Sequence, residues 1–442
     1  MERFDLIVIG AGPGGYEAAA EAAALGRKVA VIERDELGGT CLNRGCIPTK
    51  ALCRSAEVAL TIGNSAEFGI SSGEPVIDLP QIMARKEQIL AGLRESVGMV
   101  LKDVTIIRGE AKFITASIVD VNGESYTAPE IFIATGSRPA ALDIPGKELA
   151  MSSDEILSIQ TLPNSLIIIG GGVIGMEFAS IFSAFGVKVT VLEYCKEILP
   201  PFDAEIAKRL RTALKRRGIE IVTAAQVTAI EPGMIVSYDV KGKTKTAEAD
   251  QVLMAVGRKA VLPEGLAELG VRIERGAIAV DDNMKVLFDG SDPSDVTLYA
   301  IGDVNGRCML AHAAYMHGLV ALGKVRLTDI IPAAVFTQPE CAMVGLTEEK
   351  CNAEGREIKV GKAMFRANGK ALAMGEPDGL VKIIADAKTD ELLGCHICGA
   401  HAADLVQEVA TAMTAGLKAS AISDAVHAHP TLTEVVKAAV PK

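Results

Sequence analysis

Residues Leu6 to Glu33 recur at Leu166 to Glu193, at a constant offset of 160 and with 14 of 28 aligned positions identical. No other feature limits the fold as much. Each copy reads as an apolar strand, a glycine-rich turn, a helix stopped by a glycine (Gly26, Gly186) and a second apolar strand ending in Glu. Such a segment makes a βαβ unit, whose two strands run parallel. Two copies predict an α/β fold with two Rossmann-like dinucleotide-binding domains.

The glycines have separable tasks. Gly10 and Gly170 permit the tight turn, Gly12 and Gly172 let a pyrophosphate approach the backbone, and Gly15 and Gly175 let the helix pack close to the strand. The phosphates then meet the positive end of the helix. Glu33 and Glu193 each follow the first glycine by 23 residues, where a carboxylate can accept hydrogen bonds from ribose hydroxyls. A single copy is also compatible with a plain glycine-rich turn. Two complete copies imply two dinucleotides, FAD together with NAD or NADP. A 2′-phosphate is repelled by a carboxylate and is usually met by Arg. Lys196 sits beyond Glu193, so NAD is expected rather than NADP.

At 442 residues the chain is long enough for two to four domains. Apolar runs at Ile131–Gly136 and Val252–Gly257 close the two nucleotide units, and Leu298–Asp303 supplies a third. Helical patterns lie near Pro80–Val100 and Ala204–Arg217. From about Ile331 onward strands and amphipathic helices continue without a nucleotide fingerprint, which marks a separate domain. A net charge of -11 and the absence of Trp argue against nucleic-acid binding. The longest uncharged run, Cys308 to Gly323, is too short to span a membrane. Met1 leads directly into a strand without a signal-peptide pattern, so a cytoplasmic location is expected.

Nine cysteines, an odd number spread over a long chain, do not make a secreted disulfide framework. Cys41 and Cys46 differ from the rest because they directly follow the first fingerprint. In a regular helix residues five apart lie about 8–9 Å apart, and a disulfide rarely spans more than about 7 Å. A bonded pair therefore needs an irregular stretch, which Gly45 and Pro48 make plausible. Such a local disulfide is easily reduced. Two structural cysteines remain the alternative reading of the spacing. Cys395 and Cys398 fall on a strand pattern, three apart and on opposite faces, so they are expected to be structural. No metal site is expected.

Near the end stands His427-Ala-His429-Pro430, with Glu434 four residues on. Pro430 is suited to the first turn of a helix, which would set His429 just before it. A carboxylate bound to one imidazole nitrogen fixes the tautomer and raises basicity at the other. Thiol chemistry needs such a base, because the thiolate is the nucleophile. A capping or surface histidine is the alternative. His427 reads as a neighbour of the base.

The ordered series GAGPGG (Gly10–Gly15), GGTCLNRGCIPTK (Gly38–Lys50), ATGSRP (Ala134–Pro139), GGGVIGMEFAS (Gly170–Ser180), AVGR (Ala255–Arg258), AIGD (Ala300–Asp303) and HAHPTLTE (His427–Glu434) resembles the pyridine nucleotide–disulfide oxidoreductases over essentially the full chain. Within them it is most similar to the branch that oxidises dihydrolipoamide. The resemblance implies an FAD domain (1–145), an NAD domain (146–258), a central domain completing the FAD site (259–330) and a C-terminal α+β dimerisation domain (331–442). It implies one tightly held FAD per subunit, NAD, and a homodimer served by a lipoyl-bearing carrier domain or the acyltransferase core of a 2-oxo acid dehydrogenase or glycine-cleavage type system. The chain shows no lipoyl domain of its own, so that group is expected on another protein.

By the same resemblance Cys41 exchanges with substrate and Cys46 faces the flavin in a charge-transfer contact. His429 and Glu434 act across the dimer, and Lys50 pairs with Glu177 near the flavin N5 edge. Cofactor contacts are implied at Gly10, Gly12, Gly14, Gly15, Glu33, Gly39, Thr40, Lys50, Ala111, Thr135, Gly136 and Ser137. They are also implied at Gly170, Gly172, Gly175, Glu193, Gly257, Arg258, Gly302, Asp303, Leu310, Ala311 and His312, with Asp303 on the ribityl chain. Three features depart from the family pattern. The stretch near Gly98–Thr105 is short, Lys259-Ala260 follows AVGR where Pro-Asn is common, and Arg44 stands between the cysteines at a position often apolar in the family. Other NAD(P)H-dependent disulfide or mercuric reductases, and a non-catalytic flavoprotein subunit, are the rival readings.

Overall fold

A computed structural model describes residues 1–293 and 295–442. The chain divides into two compact units. The first comprises 1–51, 83–140 and 258–328, and the second 52–82, 141–257 and 329–442.

In the first unit a five-stranded parallel sheet has the order Thr297–Ala300, Glu130–Ile133, Leu6–Ile9, Val29–Glu33, Thr105–Arg108. Leu6–Ile9 and Val29–Glu33 are buried along their whole length. This is why they read as continuous apolar runs rather than alternating ones. Helix Pro13–Ala24 is the crossover between them. It packs against helix Ala311–Ala321 through small residues. A Cβ at Gly14 would stand 2.8 Å from the Ala314 carbonyl oxygen, and one at Gly318 would stand 2.9 Å from the Ala18 Cβ. A four-stranded sheet (Glu2–Arg3, Glu124–Thr127, Ile118–Val121, Ala111–Thr115) and the ribbon Ser137–Pro139 with Arg258–Ala260 complete the unit.

The second unit repeats the plan. Its parallel sheet has the order Met151–Ser152, Gln251–Met254, Ser165–Ile169, Lys188–Glu193, Glu220–Thr223, with helix Val173–Ala184 as crossover. Helix Ala204–Arg216 is capped by Asp203, which accepts the Glu205 N–H. Residues from Ala333 onward build an antiparallel five-stranded sheet, in the order Ala333–Val335, Glu340–Gly345, Leu392–Gly399, Leu380–Asp386, Ile358–Met364. Helices Ala402–Thr414 and Thr433–Ala438 bury their apolar faces in that sheet's core. The fold is α/β, with an antiparallel α+β domain at the C-terminal end. Among the described residues no helix is long and apolar enough to cross a membrane.

Cys395 and Cys398 lie on strand Leu392–Gly399 and do not converge. Cys395 stands opposite Val344, and Cys398 stands opposite Cys341 on the neighbouring strand. Both members of that cross-strand pair are buried, and burial together with their mutual contact holds the Cys341 thiol well above the ordinary range. One expectation is corrected. Pro430 does not open a helix, which begins only at Thr433. The Thr431 N–H donates to Glu434 at 3.0 Å and its hydroxyl to the Ala428 carbonyl at 2.7 Å. These bonds close a turn that delays helix entry.

Candidate active site

The two glycine loops are built alike. Gly10 and Gly170 have φ of +106° and +110°, in the region that favours glycine. A Cβ at Gly10 would meet the Ala134 carbonyl at 2.4 Å and one at Gly15 the Gly10 carbonyl at 2.0 Å. Gly170 and Gly175 show the same contacts at 2.4 and 2.0 Å, with Ala255 and Gly170. Four glycines are thus explained by the protein itself. Gly12 and Gly172 are not. A Cβ at Gly12 would find only the Gly39 Cα at 3.9 Å, and one at Gly172 would find nothing within 4 Å. Each precedes a twelve-residue helix and provides no side-chain cap for its first N–H groups. This arrangement fits a phosphate-bearing dinucleotide at both loops.

Glu33 and Glu193 are buried at the ends of their strands. Glu33 accepts the Ala11 N–H at 2.7 Å and the Asp35 N–H at 2.8 Å. Glu193 accepts the N–H groups of Gly171 and Cys195 in the same way. Each carboxylate clips its glycine loop to the strand end and retains lone pairs for a ribose. Burial raises the Glu33 carboxyl above its usual range, opposed by the Ala11 N–H.

The cysteine segment rests on the first loop. Gly39 has φ +58°, and a Cβ there would be 2.5 Å from the Gly12 Cα. Helix Gly39–Arg44 stops at Gly45, whose φ of −144° and ψ of −110° break it, and helix Cys46–Gly63 begins anew. The irregularity expected between the cysteines is therefore present. Cys41 is half-buried and Cys46 exposed. The Cys41 thiol is pushed far up, first by its hydrogen bond with Cys46 and next by burial, while the Lys50 charge pulls it down. Lys50 stands in the first turns of helix Cys46–Gly63. Tyr16, at the start of helix Pro13–Ala24, is pushed up to about 12 by burial, by Glu17 and by Cys41. Its nearness to Cys41 could not be read from spacing. Arg44 is tied to Asp35 by an ion pair, which anchors the segment beside Glu33.

A third cluster gathers residues distant in sequence. The Ser137 hydroxyl donates to Asp303, and Arg258 Nε donates to that hydroxyl at 2.7 Å. Arg258 Nη2 reaches the Ser137 carbonyl at 2.8 Å and the Thr40 hydroxyl at 3.5 Å. Thr135 donates to the Val261 carbonyl, and Gly136 and Gly257 both have positive φ with open space where a Cβ would be. Leu310, Ala311 and His312 form the N-terminal end of helix Ala311–Ala321. Ala111 opens strand Ala111–Thr115, next to Gly109, whose N–H donates to the Glu33 carbonyl at 3.0 Å.

His317 was missed by sequence reasoning. It lies in an uncharged helix and carries no motif. Its side chain is buried, and Nδ1 accepts from the Gly302 N–H and faces the Asn305 amide, both at 3.3 Å. It thereby supports the positive-φ turn at Gly302 that presents Asp303. Burial lowers the His317 pKa from 6.5 to about 4. A depressed histidine contributes stability that is present above pH 6.5 and lost as pH falls toward 4. The shift corresponds to about 3 kcal/mol. His317→Gln offers an acceptor that does not titrate. Denaturant unfolding of the variant should lose less stability than the parent between pH 7 and 4, and equal losses would remove His317 as the cause.

In the second unit Glu177 is buried on helix Val173–Ala184, where its carboxylate accepts the Phe336 N–H at 3.0 Å. His429 Nδ1 lies 3.0 Å from Glu434 Oε1, with the imidazole largely exposed. A carboxylate only accepts, so Nδ1 carries the hydrogen and the neutral ring presents its Nε2 lone pair outward. The Thr431 N–H, and after it His429, hold the Glu434 carboxyl below its usual range. Among the described residues no group of three or more His, Cys, Asp or Glu is placed to hold a metal ion.

These features agree with comparison to known proteins. The pyridine nucleotide-disulphide oxidoreductase model matches residues 4–318, and the dimerisation domain of the same family matches 331–440. The chain belongs to this family of flavoprotein disulfide oxidoreductases, which bind FAD and NAD(P). It is 37% identical to the dihydrolipoyl dehydrogenase of Bacillus subtilis (strain 168), across 98% of this chain and 96% of that one. It is 40% identical to the dihydrolipoyl dehydrogenase of Thermus scotoductus, again across 98% and 96%. Among solved structures, the HOCl-induced flavoprotein disulfide reductase RclA from Escherichia coli superposes with a TM-score of 0.84 at 29% identity, covering 97% of this chain and 98% of that one. The dimerisation domain supports a homodimer.

Proposed function

We propose that this chain is a dihydrolipoyl dehydrogenase that oxidises carrier-bound dihydrolipoamide and passes the electrons to NAD. The observation that carries the reading is the Cys41–Cys46 pair resting directly on the first dinucleotide loop, through Gly39 against Gly12. The reading takes the chain as the four parts expected from its motifs, acting as a cytoplasmic homodimer. FAD and NAD supply the two-electron acceptors when bound.

The protein's own residues do the rest. His429 Nε2 takes a proton from one thiol of dihydrolipoamide, while Glu434 holds Nδ1–H and stabilises the imidazolium. The substrate thiolate attacks Cys41 Sγ of the oxidised pair, forming a mixed disulfide and releasing Cys46 as thiolate. His429 releases the first proton to solvent and takes the one on the second substrate thiol. That thiolate attacks the substrate sulfur of the mixed disulfide and breaks its bond to Cys41, which leaves as thiolate. Lipoamide leaves, and two reduced cysteines remain. Lys50 would supply positive charge to a bound flavin, and Glu177 a carboxylate fixed by the Phe336 N–H. Asp303, Ser137 and Arg258 would hold the chain of a bound flavin, and the Arg258 bond to Thr40 orients the cysteine segment.

Glu193 decides the second nucleotide. Its carboxylate is pinned by two backbone donors and cannot turn away from a 2′-phosphate. Like-charge juxtaposition costs several kcal/mol, and each 1.4 kcal/mol is tenfold. NADH formation from NAD with dihydrolipoamide should therefore exceed NADPH formation from NADP by about 100-fold in kcat/KM. NADP preference would overturn the role given to Glu193. No turnover by a flavin-loaded dimer would point to another disulfide substrate.

A further inference from the structure

The loop 425–429 carries two histidines, and the chemistry above uses only one. His427 is the other, and its side chain is 7% exposed against 79% for His429. His427 Nε2 lies 2.9 Å from Glu408 Oε1 on helix Ala402–Thr414, and Nδ1 lies 3.1 Å from the Ala425 carbonyl oxygen. Carbonyls and carboxylates only accept hydrogen bonds. Both bonds therefore coexist only while both ring nitrogens carry hydrogen. The Ala425 carbonyl takes a second donor, Lys437 Nζ at 2.6 Å. The charged and titratable groups around His427 are thus Glu408 on one helix, Lys437 and Glu434 on helix Thr433–Ala438, and His429 on the loop itself.

We propose that His427 and Glu408 form a second His–carboxylate pair that fastens the loop bearing His429, making His427 a positioning residue for proton transfer rather than a second base. This rests on the reading of His429 as the base. The pair ties the loop to a long helix packed on the antiparallel sheet, two residues before an imidazole that must meet a thiol within hydrogen-bond reach. Exposed and held by Glu434 alone, that imidazole would sample many orientations. Glu408→Gln preserves the fastening, because its amide oxygen accepts from the His427 ring as the carboxylate does.

The test uses the FAD-loaded full chain. Dihydrolipoamide–NAD kinetics are measured from pH 6 to 9 for the parent, His427→Ala, Glu408→Gln and His429→Ala. NADH-driven reduction of an artificial electron acceptor, which bypasses the thiols, is followed alongside. His427→Ala should lower kcat about tenfold with little change in KM and unchanged acceptor reduction, as expected from a misplaced catalytic group. Glu408→Gln should keep kcat within about twofold of the parent, because the contact to His427 is retained. Parental kcat in His427→Ala, or a fall in Glu408→Gln as large as that in His427→Ala, overturns the proposal. Joint loss of both activities in the two variants also overturns it, since the pair then merely supports the fold. Retained turnover in His429→Ala removes the base assignment itself, a failure that the other two variants cannot produce.

Discussion

Cys41→Ser should cost about 10³-fold or more in dihydrolipoamide turnover, while NADH-driven reduction of an artificial acceptor survives. A serine oxygen cannot form the disulfide that accepts the substrate's electron pair, and nothing else near the loop replaces it as the sulfur under attack. The acceptor assay draws electrons from the nucleotide side and needs no thiol. Arg44, Gly39 and Thr40 still anchor the segment, so the flavin should stay bound. Flavin content and both rates measured on one preparation decide the matter. Equal loss of both activities would mean that Cys41 is structural.

Gly172→Val should raise the KM for NAD by about 100-fold and leave the flavin and the fold in place. Outside its chain neighbours and its own helix, no atom lies within 4 Å of a Cβ at Gly172, so the added side chain chiefly obstructs a ligand that comes close to the backbone there. Gly175→Val is the control. A Cβ at Gly175 would lie 2.0 Å from the Gly170 carbonyl, and backbone cannot yield as a side-chain tip can. That variant should lose stability, by about 1–3 kcal/mol or more. The two substitutions lie three residues apart and should separate ligand binding from folding. Gly172→Val should also reverse the pattern of Cys41→Ser. Dihydrolipoamide-driven acceptor reduction should survive while every NAD-dependent rate falls. An unchanged KM for NAD would place the second nucleotide elsewhere.

The residues of the two glycine loops were legible because their constraints are local. A parallel βαβ crossover needs a tight turn and a close helix, and both require glycine within a few residues of each other. The spacing therefore exposes Gly10, Gly15, Gly170 and Gly175 whatever lies around them. The break at Gly45 between the cysteines is local in the same sense. The error at Pro430 shows the limit. A proline at the first turn is a sound local rule, yet the Thr431 N–H found Glu434 and its hydroxyl found Ala428, bonds that composition does not announce.

The sequence by itself determined that two dinucleotide units, a cysteine pair and a His–Glu pair occur in one chain, because each is written in residues close enough to constrain one another directly. Tertiary structure alone decided how the remaining groups serve them. Asp303 finds Ser137, 166 residues away. His317 reaches the Gly302 turn from a helix without a motif, and Cys398 finds Cys341 rather than Cys395. Glu408 takes His427 from across a helix. These partners meet only once strands are in register and helices have packed. A buried polar group must then bond whatever donor or acceptor the fold brings within about 3 Å.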